Sequence, residues 1–208
     1  MAAKFLSSSK FKVVIDKAAL LDQITSGKNG KVTGREVRSS ILPIIEKSQK
    51  KLIRDFYQHS VTQEIEAGPS AKNSSGTLGG YGNLFSFIGF EEGSDPLSEI
   101  KRVLETKLVV RVRAAGRGKF KIYILNALDK KGMLEATPMP WAKGSSWADG
   151  IEKGISNLGS FLYYSGGNSR SRSGAGIQTK NNLRASSLKT QPYISKMIED
   201  FLENVVKF

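Results

Sequence analysis

The stretch from Lys107 to Asn126, KLVVRVRAAGRGKFKIYILN, constrains the fold most. Leu108, Val110 and Val112 alternate with Val109, Arg111 and Arg113. After AAGRG, Phe120, Ile122 and Ile124 alternate with Lys119, Lys121 and Tyr123. Two period-two runs around a glycine-containing turn predict an antiparallel β-hairpin. One face is apolar and the other carries Arg111, Arg113, Lys119 and Lys121, with Arg117 at the tip. An isolated hairpin is marginal in water, so the rest of the chain must supply further strands and a layer to cover the apolar face.

The covering layer is legible as helices. TGRE, Thr33 to Glu36, is a capping box and predicts a helix start. Val37, Ile41, Ile44, Ile45, Leu52 and Phe56 follow at helical spacing. Pro43 interrupts the pattern, so the helix either kinks there or has its regular part begin near that residue. Its polar face carries Glu46, Lys47, Lys50, Lys51 and Arg54, a solvated face or a basic ridge for an acidic partner. Asp16–Ile24 and the segment after Asp95-Pro96 have shorter helical patterns. Ser145 or Ser146 caps a helix predicted to reach Leu162, with Gly150 and Gly154 allowing close backbone packing. After Pro192, residues Ile194, Met197, Ile198, Phe201, Leu202 and Val205 form one apolar stripe that must dock on its own domain or on a neighbouring subunit.

Further strands are expected at Phe11–Ile15, at Val61–Ala67, where apolar and polar residues alternate, and at Leu84–Phe90. The expected class is α+β. An antiparallel sheet of Val61–Ala67, Leu84–Phe90 and the 107–126 hairpin is flanked by amphipathic helices around 36–57, 146–164 and 192–206. The core spans 1–164 and a docking helix spans 190–208. Between them, Ser165–Lys189 has Arg170, Arg172, Lys180, Arg184 and Lys189 and no acidic residue. Too little of it is apolar to offset the entropy of ordering it alone, so a long basic Gly/Ser arm is expected there.

The net charge of +13 favours anionic partners. No apolar run approaches the ~18 residues of a membrane span, so no membrane partner is expected. No apolar core follows Lys4, so no leader is expected. The chain has no cysteine, which excludes disulfides, thiolate metal sites and cysteine nucleophiles.

Catalytic patterns fit poorly. In GTLGGYGNLFSFIGF, Gly76 to Phe90, the glycines precede an apolar run and no Lys-Ser/Thr pair follows. A phosphate loop needs the opposite order, strand then glycines then helix. A flexible joint feeding a buried strand is the expected role. His59 is the only histidine, at the expected end of the basic helix beside Ser60, where a cap or a solvated group is a simpler role than a triad base. Glu64, Glu66, Glu91, Glu92 and Asp95 lack the spacing of an ion loop. No enzyme activity, cofactor or metal site is expected.

The order of parts carries a resemblance: the basic helix, HSVTQEIEAG, NSSGTLGGYGNLFSFIGF, the hairpin, PMPW with SWADGIEKGI, SRSG, and a final YISKMIEDF helix. Over most of its length the chain resembles virion structural proteins of tailed bacteriophages, of the neck and tail-completion type. The resemblance implies a non-enzymatic α+β subunit that assembles as a homo-oligomeric ring with other virion proteins in the host cytoplasm, with DNA a possible partner in the channel. The alternative is a cytoplasmic protein that binds nucleic acid without sequence preference. In both, Arg111, Arg113, Arg117, Lys119, Lys121, Arg170, Arg172 and Arg184 form the expected partner- or DNA-facing surface.

Overall fold

A computed structural model describes residues 10–14, 33–78, 82–114, 120–125, 132, 135–154, 161–164, 176–179 and 188–206. The fold is α+β, with two compact units. The first comprises Met1–Arg54, Val103–Gly132 and Met197–Phe208; the second comprises Asp55–Arg102 and Met133–Lys196. The predicted helix Asp16–Ile24 lies outside the described residues.

The first unit is built on the hairpin. Strands β2 (Val109–Ala114) and β3 (Phe120–Leu125) pair antiparallel, with Val110 opposite Ile124 and Val112 opposite Ile122. Strand β1 (Lys10–Val14) pairs antiparallel with the other edge of β3, giving the order β1-β3-β2. Val110, Ile122 and Ile124 are buried and share one face. The buried residues of helix α1 (Gly34–Gln58) in this unit are Val37, Ile41, Ile45, Ser48 and Leu52, one helical stripe. The capping box forms as expected: Glu36 N–H donates to Thr33 Oγ1 (3.3 Å) and Thr33 N–H donates to Glu36 Oε2 (2.9 Å). A Cβ placed on Gly34 would lie 3.9 Å from Val112 Cγ1, so the start of α1 sits close against β2. The helix runs through Pro43, which is exposed.

Further along α1, Gln49 Nε2 donates to the carbonyls of Leu104 and Thr106, both at 2.9 Å. Those oxygens are at the end of α4 (Ser98–Glu105), where a helix has no internal donors left. The final helix, α6 (Ile194–Val206), buries Ile194, Met197, Ile198, Phe201, Leu202 and Val205 within the chain itself. Burial of each such side chain is worth about 1.5–3 kcal/mol. The stripe is therefore docked in the single chain and does not wait for a neighbouring subunit.

The second unit corrects three expectations. Val61–Ala67 is not a strand: Ser60–Glu66 forms helix α2, with Val61, Thr62, Glu64 and Ile65 buried at helical spacing. Leu84–Phe90 is not a strand either, because Leu84–Ile88 forms helix α3. Asn83 Oδ1 accepts from Ser86 N–H (2.9 Å) at its start, and Gly89, at φ 84°, ends it in a left-handed conformation. The sheet therefore contains neither segment. Third, the helix expected over 146–164 stops at Lys153. Helix α5 (Trp147–Lys153) starts where Asp149 N–H donates to Ser146 Oγ (3.1 Å), and ends at Gly154, whose φ of 94° belongs to a region side chains avoid. Phe161–Tyr164 is then strand β6, paired antiparallel with β7 (Gly176–Thr179). Four residues of the expected arm are thus in a strand; the rest of it up to residue 187 lies outside the described residues.

Aromatic rings form the centre of the second unit. Phe56 meets Tyr193, Tyr193 meets Trp147, Trp147 meets Phe90 edge-on and Phe90 meets Phe85, with centroids 6.2, 6.2, 5.9 and 5.4 Å apart. Such pairs add about 0.5–1.5 kcal/mol beyond buried area. The Tyr193 and Thr62 hydroxyls are hydrogen-bonded at 2.7 Å, and burial pushes the phenol pKa up. A small hairpin of β4 (Pro138–Met139) and β5 (Ala142–Ser146) leads into α5. At its turn, Trp141 lies against Gly89 and its Nε1–H donates to Ile88 O (2.8 Å), yet the residue stays 41% exposed.

Candidate nucleic-acid interface

Alternation gives the β1-β3-β2 sheet two unlike faces. Since Val110, Ile122 and Ile124 are buried, the intervening residues belong to the opposite face. From β2 these are Val109, Arg111 and Arg113, all exposed; from β3 they are Lys121, Tyr123 and Leu125, all half-buried. Cross-strand register sets Val109 opposite Leu125, Arg111 opposite Tyr123 and Arg113 opposite Lys121. On the other edge, Lys10, Lys12 and Val14 stand at the register positions of Leu125, Tyr123 and Lys121.

Arg113 and Lys121 are like charges directly opposite, a pairing that destabilises a sheet. The aromatic neighbour offsets part of this. The Arg113 guanidinium carbon lies 5.8 Å from the centroid of the Tyr123 ring, within cation–π range. The six β2 and β3 positions of this face include three cations, one phenol and no carboxylate. A surface of this kind attracts phosphate and repels other cations.

Of the residues expected on the basic surface, the structure brings Arg111, Arg113 and Lys121 onto one sheet face. Arg117, Lys119, Arg170, Arg172 and Arg184 lie outside the described residues. The lysines of β1 were not among the expected residues, although the alternation in KFKVV could have disclosed them. The basic ridge of α1, with Lys47 and Lys50 exposed, lies opposite that helix's buried stripe.

The other titratable candidates have structural work. His59 caps α2: its Nδ1 accepts from Val61 N–H (3.3 Å) and its ring lies 4.8 Å from that of Tyr193. Burial lowers its pKa, partly countered by a hydrogen bond to the Pro192 backbone. Glu64 is 1% exposed and accepts from the N–H groups of Ser75 (2.8 Å) and Leu84 (2.7 Å), which ties both ends of the glycine-rich segment to α2. Glu66 pairs with Lys101 at 2.7 Å. Among the described residues no group of three or more His, Asp or Glu side chains is placed to hold a metal ion, and no helix is long and apolar enough to cross a membrane.

Comparison with protein-family models, with curated proteins and with solved structures found no match. The candidate interface therefore stands on its own geometry.

Proposed function

We propose that this chain is a non-enzymatic structural subunit of a tailed-bacteriophage particle, of the neck or tail-completion type, that assembles into a ring with copies of itself. The observation that carries the reading is the two-faced sheet. One face is covered and apolar, while the β2 and β3 positions of the other present Arg111, Arg113 and Lys121 and include no carboxylate. A subunit that lines or borders a channel for an anionic polymer needs a rigid element turned that way. The resemblance in the order of parts supports the same assignment, and the net charge of +13 suits it.

Gel filtration and negative-stain imaging of the purified protein test the proposal. Rings, or oligomers that close into rings with particle components, are the expected result. A strictly monomeric protein that never enters particles contradicts it. The second reading, a cytoplasmic protein that binds nucleic acid without sequence preference, is favoured by the seating of Arg113 on Tyr123. Salt-dependent binding by a protein missing from particles would select it.

A further inference from the structure

We infer that the open face of the β1-β3-β2 sheet binds the phosphate backbone of duplex nucleic acid without reading its bases, and that Tyr123 serves as a positioning residue for Arg113. The inference rests on the proposed reading of that face as the surface turned toward an anionic partner, and it names the partner.

Three observations distinguish a polyphosphate from an acidic protein. First, the charge is of one sign. Three of the six β2 and β3 positions of the face are cations and none is a carboxylate, with apolar Val109 and Leu125 paired at one end and Arg113 and Lys121 at the other. The core of a protein interface is instead depleted of charged residues.

Second, the cations repeat along a strand. Arg111 and Arg113 are two residues apart on β2, a separation of about 6.6 Å along the strand direction. Lys121 stands across from Arg113. Like charges repeated along a rigid strand match a regular polymer of phosphates. Its binding is driven by counterion release and not by sequence.

Third, the one aromatic group of the face is occupied. Single-strand binders expose aromatic rings on which bases stack. Here the guanidinium of Arg113 lies over Tyr123 at 5.8 Å, and the ring is half-buried. The ring therefore holds a cation in place and offers no platform to a base. A guanidinium held in one orientation loses less freedom when it pairs with a phosphate. Binding by this face is thus indifferent to base identity, and it requires no unpairing of the duplex.

The test is fluorescence anisotropy of the full chain with a labelled duplex of mixed sequence, the matching single strand and polyglutamate, each over a salt series. The intact protein is expected to bind the duplex with a steep salt slope and to show no preference between duplexes of different sequence. Removing two phosphate contacts with Arg111→Ala/Arg113→Ala should lower that slope by about two, equally for all duplexes. Both side chains are exposed, so the double variant should melt like the parent. Tyr123→Phe should bind as the parent does, because the ring and not the hydroxyl seats Arg113. Tyr123→Ala should weaken duplex and single strand by the same factor, several-fold.

An unchanged salt slope in the double variant overturns the inference. A Tyr123→Ala effect confined to the single strand overturns it too, since that is the signature of base stacking. Binding of polyglutamate in preference to duplex assigns the face to an acidic protein. Incorporation of the intact protein into particles separates the two ideas. An intact chain that enters particles but binds no duplex leaves the structural role standing and removes this one; duplex binding by an intact chain absent from particles does the reverse.

Discussion

At the scale of single residues, the second unit depends on polar groups that must stay buried and satisfied. Glu64 holds two backbone N–H groups twenty or fewer residues away, at Ser75 and Leu84. Replacing it with alanine strands both donors, and a buried donor left without an acceptor costs about 1–3 kcal/mol. Glu64→Ala should therefore lower the unfolding free energy by about 2–5 kcal/mol in urea titrations, and Glu64→Gln by less, because one amide oxygen still accepts. His59 gives the fold a dependence on pH. Its Nδ1 must be unprotonated to accept from Val61 N–H, and burial lowers its pKa below 6.5. Between the lowered value and 6.5 the unfolded chain binds more protons than the folded one. The contribution of this group is thus fully present above 6.5 and is lost as pH falls through the folded pKa. The phenol of Tyr193, in ring contact with it, has its pKa pushed up and stays neutral throughout. His59→Asn keeps an N-cap and should flatten the acid-side fall in urea midpoint relative to the parent. An equal fall in both proteins would show that His59 is not its source.

At the scale of elements, the best-read segments were those whose pattern admits one structure. The hairpin alternates over two runs joined by a glycine turn, and Thr33 and Glu36 satisfy each other's backbone. The stripe of α6 repeats every three to four residues over its whole length. Val61–Ala67 failed because its apolar residues fit both periods: Val61 and Ile65 are four apart as well as alternating. A run as short as LFSFI carries no period at all, and there the Asn83 cap and the left-handed Gly89 decide for a helix. The helix after Ser146 is shorter than its apolar spacing suggests because Gly154, at a φ of 94°, is its stop and not a packing glycine in its interior. Gly154→Ala should cost about 1–3 kcal/mol through backbone strain. The added methyl finds ordinary space, 3.8 Å from Thr190 Cγ2, so the loss measures conformation and not collision. Pro43 makes the opposite case. It is exposed inside α1, where it removes a backbone hydrogen bond. Pro43→Ala should raise the melting temperature and add about 1–3 kcal/mol. A loss of stability would mean that the proline shapes a bend the unit needs.

At the scale of the whole molecule, the sequence made the basic face legible but not its extent. The pairing of β1 with β3 joins residues more than a hundred apart, and no local pattern announces such a pairing. It is this pairing that sets Lys10 at the register of Leu125 and Lys12 at the register of Tyr123. On the proposed function, the chain is a building block whose cationic surface meets an anionic polymer within a particle. The most direct test is a mass-spectrometric inventory of gradient-purified phage particles from cells producing this protein. The account predicts the chain in intact particles, at a fixed multiple of copies that matches one ring. Particles that are complete and infectious without it, with the chain left free in the lysate, would contradict the account.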